Sequence, residues 1–221
     1  MRLDVGELRS VARIEHEASR DPAIQAGHAA RDREWARDLS LAMMGDVIEA
    51  LLEVAALGRV AVVTPDPQVA QAAEQAGAEA LLRDAPGLNP SIELAAAEIG
   101  PEPGAGVLVV LGDVAALAAD EVARLLEAGA GGGVVLAPSR DGGTSALLRI
   151  PRDVIPARFG PDSAKRHREE ALHAGVRYVE LALPSLAIDV DVREDAVEIL
   201  RLGTLGRRTR AALAGFAAER A

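Results

Sequence analysis

The stretch GVLVVLGD, residues 106–113, is the strongest indication of fold class in this sequence. Its apolar residues, 107–111, form a short uninterrupted run rich in valine. Such a run is typical of a strand buried on both faces, as in the middle of a parallel sheet. Open parallel sheets bind ligands at the carboxyl ends of their strands, and Asp113 lies at that end. Asp113 is therefore a candidate functional residue, although an aspartate that only caps the next helix fits the sequence equally well.

The segments around this stretch alternate between strand and helix patterns. Upstream, the patterns predict helix 35–57, strand 59–64, helix 68–75, strand 78–84 and helix 89–99. Downstream, they predict helix 120–128, strands 132–139 and 144–151, helix 162–174, strands 176–183 and 186–192, and helices 194–202 and 207–219. This alternation predicts an α/β domain with a mainly parallel central sheet and helices on both faces.

The first 36 residues do not fit this pattern. The stretch HEASRDPAIQAGHAARDRE, residues 16–34, is polar and alanine-rich and contains no run of valine or isoleucine. We therefore expect an atypical N-terminal segment over residues 1–36, either helical or disordered, with no first strand. Residues 37–221 then form a single domain, in keeping with a chain of 221 residues.

Composition excludes several classes of function. The formal net charge of −10 argues against nucleic acid and anionic membranes as partners, because both demand a basic surface. The absence of cysteine removes disulfides, thiolate catalysis and sulfur-ligated metals. The four histidines show no metal-binding spacing, so neither a zinc site nor a hydrolase triad is expected. No apolar targeting segment opens the chain, and we expect a cytoplasmic protein.

Two aspartates near the end of the chain are candidates for holding a metal ion. In a strand over residues 186–192, Asp189 and Asp191 would share one face, because side chains alternate. Two neighbouring carboxylates repel each other unless a cation lies between them, and Mg²⁺ is the usual cation. The alternative is an exposed strand face with two solvated acids.

Two loops are candidates for binding an anion. In SRDGGT, residues 139–144, successive glycines can turn N–H groups toward an anion and Thr144 adds a hydroxyl, although a simple turn explains the pattern too. In FGPDS, residues 159–163, the start of a helix offers free N–H groups with basic side chains close behind. Here the alternative is that Asp162 or Ser163 only caps the helix.

Six segments occur in the order and spacing of one known family. They are residues 62–84, 87–95, 107–117, 137–148, 158–167 and 187–203. Together they resemble the guanylyltransferases that condense GTP with 2-phospho-L-lactate, phosphoenolpyruvate or 3-phospho-D-glycerate in coenzyme F-420 biosynthesis. The resemblance covers roughly residues 39–213, about four fifths of the chain, and its most specific parts are the Gly-Gly-Thr loop, the Phe-Gly-x-x-Ser…Arg-His stretch and the Asp-Val-Asp strand.

The resemblance implies a Rossmann-like fold of the nucleotide-diphosphosugar transferase type and a homodimer. It implies that Mg²⁺ is held by three carboxylates, those of Asp113, Asp189 and Asp191. The phosphorylated acid would be gripped by Thr144, Gly160 and Ser163. No catalytic side chain is required, because the substrate's own phosphate oxygen attacks the α-phosphorus of GTP and pyrophosphate leaves.

Two further implications concern the nucleotide. Asn89 is expected in the nucleotide pocket. The family's first strand and its triphosphate loop are not recognisable before Arg37. A non-catalytic homologue that keeps the acid-binding half and serves as a binding or partner subunit is therefore the alternative function. Transfer of a different nucleotide to a sugar phosphate is a third possibility.

Overall fold

The computed structural model describes residues 8–13, 26–83, 87–187 and 205–218, with side chains from residue 35 to residue 214 within those ranges. The strands are β1 (Leu8–Arg13), β2 (Leu57–Thr64), β3 (Glu79–Leu82), β4 (Val107–Leu111), β5 (Gly133–Pro138), β6 (Thr144–Ile150) and β7 (Tyr178–Glu180). The helices are α1 (Ala26–Leu52), α2 (Pro67–Gln75), α3 (Leu88–Ile99), α4 (Ala119–Ala128), α5 (Ser163–His173) and α6 (Arg207–Ala218), and a 3₁₀ helix spans Pro184–Leu186.

These strands form one sheet in the order β3-β2-β1-β4-β6-β5-β7. All neighbouring strands are parallel except β6, which runs antiparallel to both β4 and β5. The predicted mainly parallel sheet is confirmed. Because β6 runs in the opposite direction, its first residue lies at the edge where the parallel strands end, and this reversal matters for the site described below.

Helices cover both faces of the sheet, as the alternation predicted. On one face, α1, α2 and α4 pack on β2 and β4 through residues such as Ile48, Leu108 and Leu125, all fully buried. On the other face, α3 and α5 pack through Ile92, Val109 and their neighbours. The side chains of β4 alternate between the two cores, which explains why this strand is apolar at every position.

The expectation that residues 1–36 contain no strand is wrong. β1 lies in the middle of the sheet, and its backbone pairs with β2 on one side and β4 on the other. Its sequence, LRSVAR, has no continuous apolar run, so local propensity does not identify it. The pairing groups offered by two flanking strands override that weak propensity. α1 runs from Ala26 to Leu52, so the helix expected within the first segment is present from Ala26 and continues across residue 36.

Several predictions concern the C-terminal part of the chain. α6 forms where the last helix was predicted. The predicted strand over residues 176–183 shortens to Tyr178–Glu180, and the next predicted strand begins instead with the 3₁₀ helix. The predicted helix 194–202 lies outside the described residues. Among the residues described, no helix has both the length and the apolar character that crossing a bilayer requires.

Candidate active site

Asp113 and Thr144 lie at the same edge of the sheet. Asp113 follows the end of β4 and is half-buried. Thr144 is the first residue of antiparallel β6, in which Ala146 is paired with Val110 of β4. Because the two strands are antiparallel, Thr144, two residues before Ala146, lies opposite the residue two positions after Val110, which is Gly112. Asp113 is the next residue. The reversed strand thus brings one predicted substrate residue to the edge that carries a predicted metal residue.

Thr144 and Ser163 form a buried hydroxyl pair. Ser163 Oγ donates a hydrogen bond to Thr144 Oγ1 at 3.0 Å. Thr144 is 2% exposed and Ser163 is 1% exposed. Thr144 lies on β6 and Ser163 begins α5, so the two predicted substrate residues meet where the strand and the helix start. The structure thus brings these two residues together, and their role in binding the acid stays a prediction.

His167 completes the cluster; it ends the Phe-Gly-x-x-Ser…Arg-His stretch, but no role for it was predicted from the sequence. Its ring is fully buried, and its Nδ1 lies 3.1 Å from Thr144 Oγ1. Its Nε2 accepts a hydrogen bond from the backbone N–H of Arg158 at 2.8 Å. His167 follows Ser163 by four residues, a spacing that places both side chains on one helix face. That spacing, together with the Arg-His end of the family stretch, is the signal in the sequence that points to His167.

The ring of His167 is neutral. Burial lowers its pKa to about 3, and the nearby positive charges of Arg149 and Arg166 act in the same direction. The backbone of Ser163 acts in the opposite direction on the pKa of His167 and offsets this lowering only partly. The edge of the ring also packs against Phe159, with the ring centroids 5.1 Å apart.

Side chains from β6 and α3 hold the loop of residues 155–161, which leads into α5. Arg149 of β6 donates Nη1 to the carbonyl of Ile155 at 2.8 Å. Glu93 of α3 accepts the N–H of Ala157 at 2.6 Å and pairs with Arg149 at 2.8 Å. This loop, called the substrate loop below, is therefore ordered by the protein itself before any ligand arrives.

Asn89 also belongs to this support. Its Oδ1 accepts the N–H of Phe159 at 2.7 Å, and its Nδ2 donates to the carbonyl of Phe159 at 3.2 Å. The expectation that Asn89 lines a nucleotide pocket stays a prediction. The amide group of Asn89 is engaged at both ends with the substrate loop, and it fixes the position of that loop.

Gly160 lies at the turn of the substrate loop, at a φ of 114°. This conformation favours glycine, and a Cβ here would come within 3.2 Å of the Arg166 guanidinium. Arg166 donates to the carbonyl of Pro161 at 2.6 Å, so the turn is held from α5. The predicted role of Gly160 in binding the acid stays a prediction.

The start of α5 does not offer all of its N–H groups to an anion. The N–H of Ser163 donates to the carbonyl of Gly160 at 3.1 Å, and that of Ala164 donates to the carbonyl of Gly142 at 3.3 Å. Asp162 occupies the N-cap position without a side-chain hydrogen bond to the helix. The hydroxyl pair, rather than these two N–H groups, is the polar feature of this helix start.

The loop between β5 and β6 is a turn held by its own aspartate. Asp141 accepts from the hydroxyl of Ser139 and from the N–H of Gly143, the latter at 2.9 Å. The hydrogen bonds from Ser139 and Gly143 lower the pKa of Asp141. The simple turn proposed as the alternative therefore describes the backbone here, since the N–H of Gly143 is already taken.

Of the three predicted metal-binding carboxylates, the structure describes that of Asp113. Asp189 and Asp191 lie outside the described residues, and no group of three metal-binding side chains occurs in the part that the structure describes. The chain leading to them is anchored at the site, however. Arg140 donates its N–H to the carbonyl of Ala187 at 2.9 Å, and Glu121 accepts the N–H of Ser185 at 3.0 Å.

The sheet order with its one reversed strand, and the polar cluster at the carboxyl edge, define the nucleotide-diphosphosugar transferase class of fold. Among solved structures, a Desulfovibrio desulfuricans protein described as a nucleotide-diphospho-sugar transferase superposes with a TM-score of 0.74, at 15% identity, over 96% of this chain and 95% of its own. A 4-diphosphocytidyl-2C-methyl-D-erythritol synthase superposes with a TM-score of 0.60, at 12% identity, over 89% of this chain and 98% of its own. At these identities the likeness establishes the fold.

Sequence comparison establishes the family. The model of the family described as "Guanylyl transferase CofC like" matches residues 15–215, so the similarity begins before residue 39. The phosphoenolpyruvate guanylyltransferase of Sphaerobacter thermophilus is 36% identical over 164 residues, 74% of this chain and 79% of that protein. The 3-phospho-D-glycerate guanylyltransferase of Phenylobacterium zucineum is 37% identical over 173 residues, 76% and 79% of the two chains. This chain belongs to the CofC-like guanylyltransferase family and is a nucleotidyltransferase.

Proposed function

We propose that this protein transfers the guanylyl group of GTP to the phosphate of a small phosphorylated carboxylic acid and releases pyrophosphate. The observation that carries the proposal is the buried pair of Thr144 and Ser163 at the carboxyl edge of the sheet, next to Asp113. The pair supplies hydroxyl groups for a phosphate, and relatives of this chain are named for phosphoenolpyruvate and 3-phospho-D-glycerate.

The proposed reaction is a displacement at phosphorus. An oxygen of the acid's phosphate bonds to the α-phosphorus of GTP, the bond from that phosphorus to the bridging α,β-oxygen breaks, and pyrophosphate departs with the bonding electrons. The nucleophile is already an anion, so no side chain has to remove a proton. The work of the protein is to position two anionic substrates and to offset their charge.

Different residues of this chain would bind the acid and the metal ion. Thr144, Gly160 and Ser163 bind the phosphate of the acid, within a loop that is fixed before binding. Asp113, together with Asp189 and Asp191, would hold Mg²⁺. Carboxylate oxygens are the ligands that this ion prefers, and Asp113 is a half-buried carboxylate at the ligand-binding edge. The ion supplies positive charge that offsets the triphosphate.

The remaining assignments follow from the resemblance. The acid is phosphoenolpyruvate, 2-phospho-L-lactate or 3-phospho-D-glycerate, and the product serves coenzyme F-420 biosynthesis. We also propose that the protein is a cytoplasmic homodimer. Sedimentation of the purified protein tests the dimer, and a mass equal to a single chain of 22.9 kDa would contradict it.

The decisive test is pyrophosphate release from GTP and Mg²⁺ in the presence of each acid separately. We expect release with at least one acid and much less with ATP or CTP. Folded protein that releases no pyrophosphate with any acid contradicts the proposal. Acid binding without GTP binding in calorimetry would favour the alternative of a non-catalytic binding subunit.

The Asp113→Asn variant tests the metal assignment. It should abolish transfer while leaving the melting temperature unchanged or raised, because mutual repulsion of the carboxylates is relieved. It should also shrink the melting shift produced by GTP and Mg²⁺ together, since that shift measures binding to the native state. The Asp191→Asn variant should behave in the same way, and activity retained in either variant would contradict a shared ion.

A further inference from the structure

The hydrogen bonds of His167 determine which ring nitrogen carries the proton. The backbone N–H of Arg158 donates to Nε2 at 2.8 Å, and a backbone N–H is always a donor. Nε2 therefore presents its lone pair, and in a neutral imidazole the proton must then lie on Nδ1. Nδ1 is 3.1 Å from Thr144 Oγ1, so Thr144 is the acceptor in this contact.

This direction leaves one hydroxyl proton of the pair without an acceptor. Thr144 and Ser163 carry one hydroxyl proton each, and the single hydrogen bond between them uses one of the two. The other cannot go to His167, because Nδ1 already bears a proton. If Thr144 instead donated its hydroxyl proton to Ser163 Oγ, the hydroxyl proton of Ser163 would be the one without an acceptor. In either case one hydroxyl proton has no acceptor.

The hydroxyl proton without an acceptor is buried, and this makes it energetically unfavourable. Both hydroxyl groups belong to residues that are at most 2% exposed. Within the described ranges, neither side chain makes a hydrogen bond other than those to each other and to His167. A buried donor without a partner is unfavourable, so the site favours a ligand that brings a hydrogen-bond acceptor to this point.

We propose that His167 is a positioning residue which, through Nδ1, orients the hydroxyls of Thr144 and Ser163 so that one proton is donated to the phosphate of the acid. The inference rests on the proposed function, because the acid's phosphate is the acceptor. It also explains which ligand the hydroxyl pair prefers. An ionised phosphate oxygen carries no proton and can only accept a hydrogen bond, so it fits the hydroxyl proton that has no acceptor.

The two nitrogens of His167 have separable tasks. Nε2 holds the substrate loop through the N–H of Arg158, whereas Nδ1 acts on Thr144. The amide of glutamine extends to about the place of Nε2, where its oxygen can accept from Arg158. The amide of asparagine lies at about the place of Nδ1, where its nitrogen can donate to Thr144. His167→Gln therefore keeps the loop contact, and His167→Asn keeps the contact to the hydroxyl pair.

The experiment compares the KM for the acid, the KM for GTP and the melting temperature in both variants. We expect His167→Gln to raise the KM for the acid about tenfold, the size of one lost hydrogen bond to a charged group, with the KM for GTP unchanged. His167→Asn should keep the KM for the acid within about threefold of wild type even though it melts at a lower temperature, since the loop contact is lost. If the KM for the acid instead follows the melting temperature in both variants, His167 has a structural role only and the proposal is overturned.

A second measurement does not depend on catalysis. Nitrogen-15 NMR of the histidine-labelled protein at pH 7, with His167→Gln used to assign the signal, reports which ring nitrogen carries the proton. A protonated Nδ1 and an unprotonated Nε2 are expected, and the opposite arrangement or a doubly protonated ring overturns the inference. If wild-type protein transfers guanylyl to no acid while the NMR result is as expected, the proposed function fails and the proton arrangement stands.

Discussion

The side-chain amide of Asn89 pairs with the backbone of Phe159 at both ends, through an N–H···O contact of 2.7 Å and another of 3.2 Å. One residue lies on α3 and the other on the substrate loop, 70 positions further along the chain. This pairing connects the helix expected near the nucleotide with the loop expected to hold the acid. Asn89 therefore holds the substrate loop at Phe159.

Removal of this amide should therefore affect the acid more than the nucleotide. In Asn89→Ala the loop loses two hydrogen bonds, and we expect the KM for the acid to rise about tenfold with little change in the KM for GTP. Ser91→Ala is the matched control, because Ser91 also lies on α3 but donates within its own helix, to the carbonyl of Gly87 at 2.9 Å. A rise confined to the KM for GTP would return Asn89 to the nucleotide pocket.

The hydroxyl pair should be specific for the acid. Thr144→Val replaces the hydroxyl with a methyl group of similar size, and Ser163→Ala removes the partner hydroxyl. Each should weaken acid binding by about 1–2 kcal/mol, with GTP binding close to wild type, as measured by calorimetry. Thr144→Ser keeps the hydroxyl and is the control. Equal losses for both ligands would show that the pair does not belong to the acid site.

The ion pair of Glu93 with Arg149 should contribute more to the free energy of unfolding than the exposed ion pairs do. The Arg149 side chain is fully buried, and within the described ranges Glu93 is the carboxylate paired with it. Glu93→Gln keeps the shape but leaves this guanidinium without a counter-charge, which should lower the free energy of unfolding by on the order of 2 kcal/mol. The matched control is Glu98→Gln on the same helix, since the Glu98–Arg83 pair is exposed and should contribute below about 1 kcal/mol. Urea denaturation of the two variants compares them, and equal losses would contradict the prediction.

Asp46 of α1 caps the start of α6. Its carboxylate accepts the N–H groups of Arg208 and Thr209 at 3.0 and 2.8 Å, and the residue is 8% exposed. Asp46→Ala should lower the free energy of unfolding by about 2 kcal/mol, because two charge-assisted bonds at a helix N-terminus are lost.

Two further variants sharpen this prediction. Gly206→Ala should also destabilise the protein, because a Cβ there would come within 2.1 Å of the Asp46 carboxyl carbon. Glu49→Ala is the control from the same helix pair, since in the part of the chain that the structure describes Glu49 pairs with Arg208 in an exposed contact at 3.7 Å, which should contribute little. If thermal denaturation shows that Glu49→Ala and Asp46→Ala lose the same stability, the cap is unimportant.

His167 should make the stability of the protein depend on pH. Its pKa is lowered to about 3 in the folded protein, whereas in the unfolded chain it is near the ordinary value of 6.5, so protons favour the unfolded state. The contribution is complete above pH 6.5 and is lost progressively as the pH falls from 6.5 toward 3. Between pH 7.5 and pH 5 the loss amounts to about 2 kcal/mol. Urea denaturation of the wild type should show this loss, and His167→Gln should lack it; parallel curves would contradict a buried neutral ring.

The sequence by itself determined the elements whose signals are local. The valine run of β4, the prolines after β2 and the helical spacing of α1 each reflect burial on one or both faces, which fixes residue type position by position. Thr144, Gly160 and Ser163 came from a resemblance that rests on loop motifs close together in the chain. The family and the mainly parallel sheet could be predicted from the sequence because they too rest on local patterns.

Only the tertiary structure decided the rest, because those features depend on pairings between distant residues. β1 has weak local propensity, and its place in the sheet comes from the backbone groups of β2 and β4. The reversed direction of β6 brings Thr144 to the edge that carries Asp113. The hydrogen bond from the N–H of Arg158 to Nε2 of His167 is another such pairing, since a sequence gives a histidine's position in the chain but not the partners that fix its protonation.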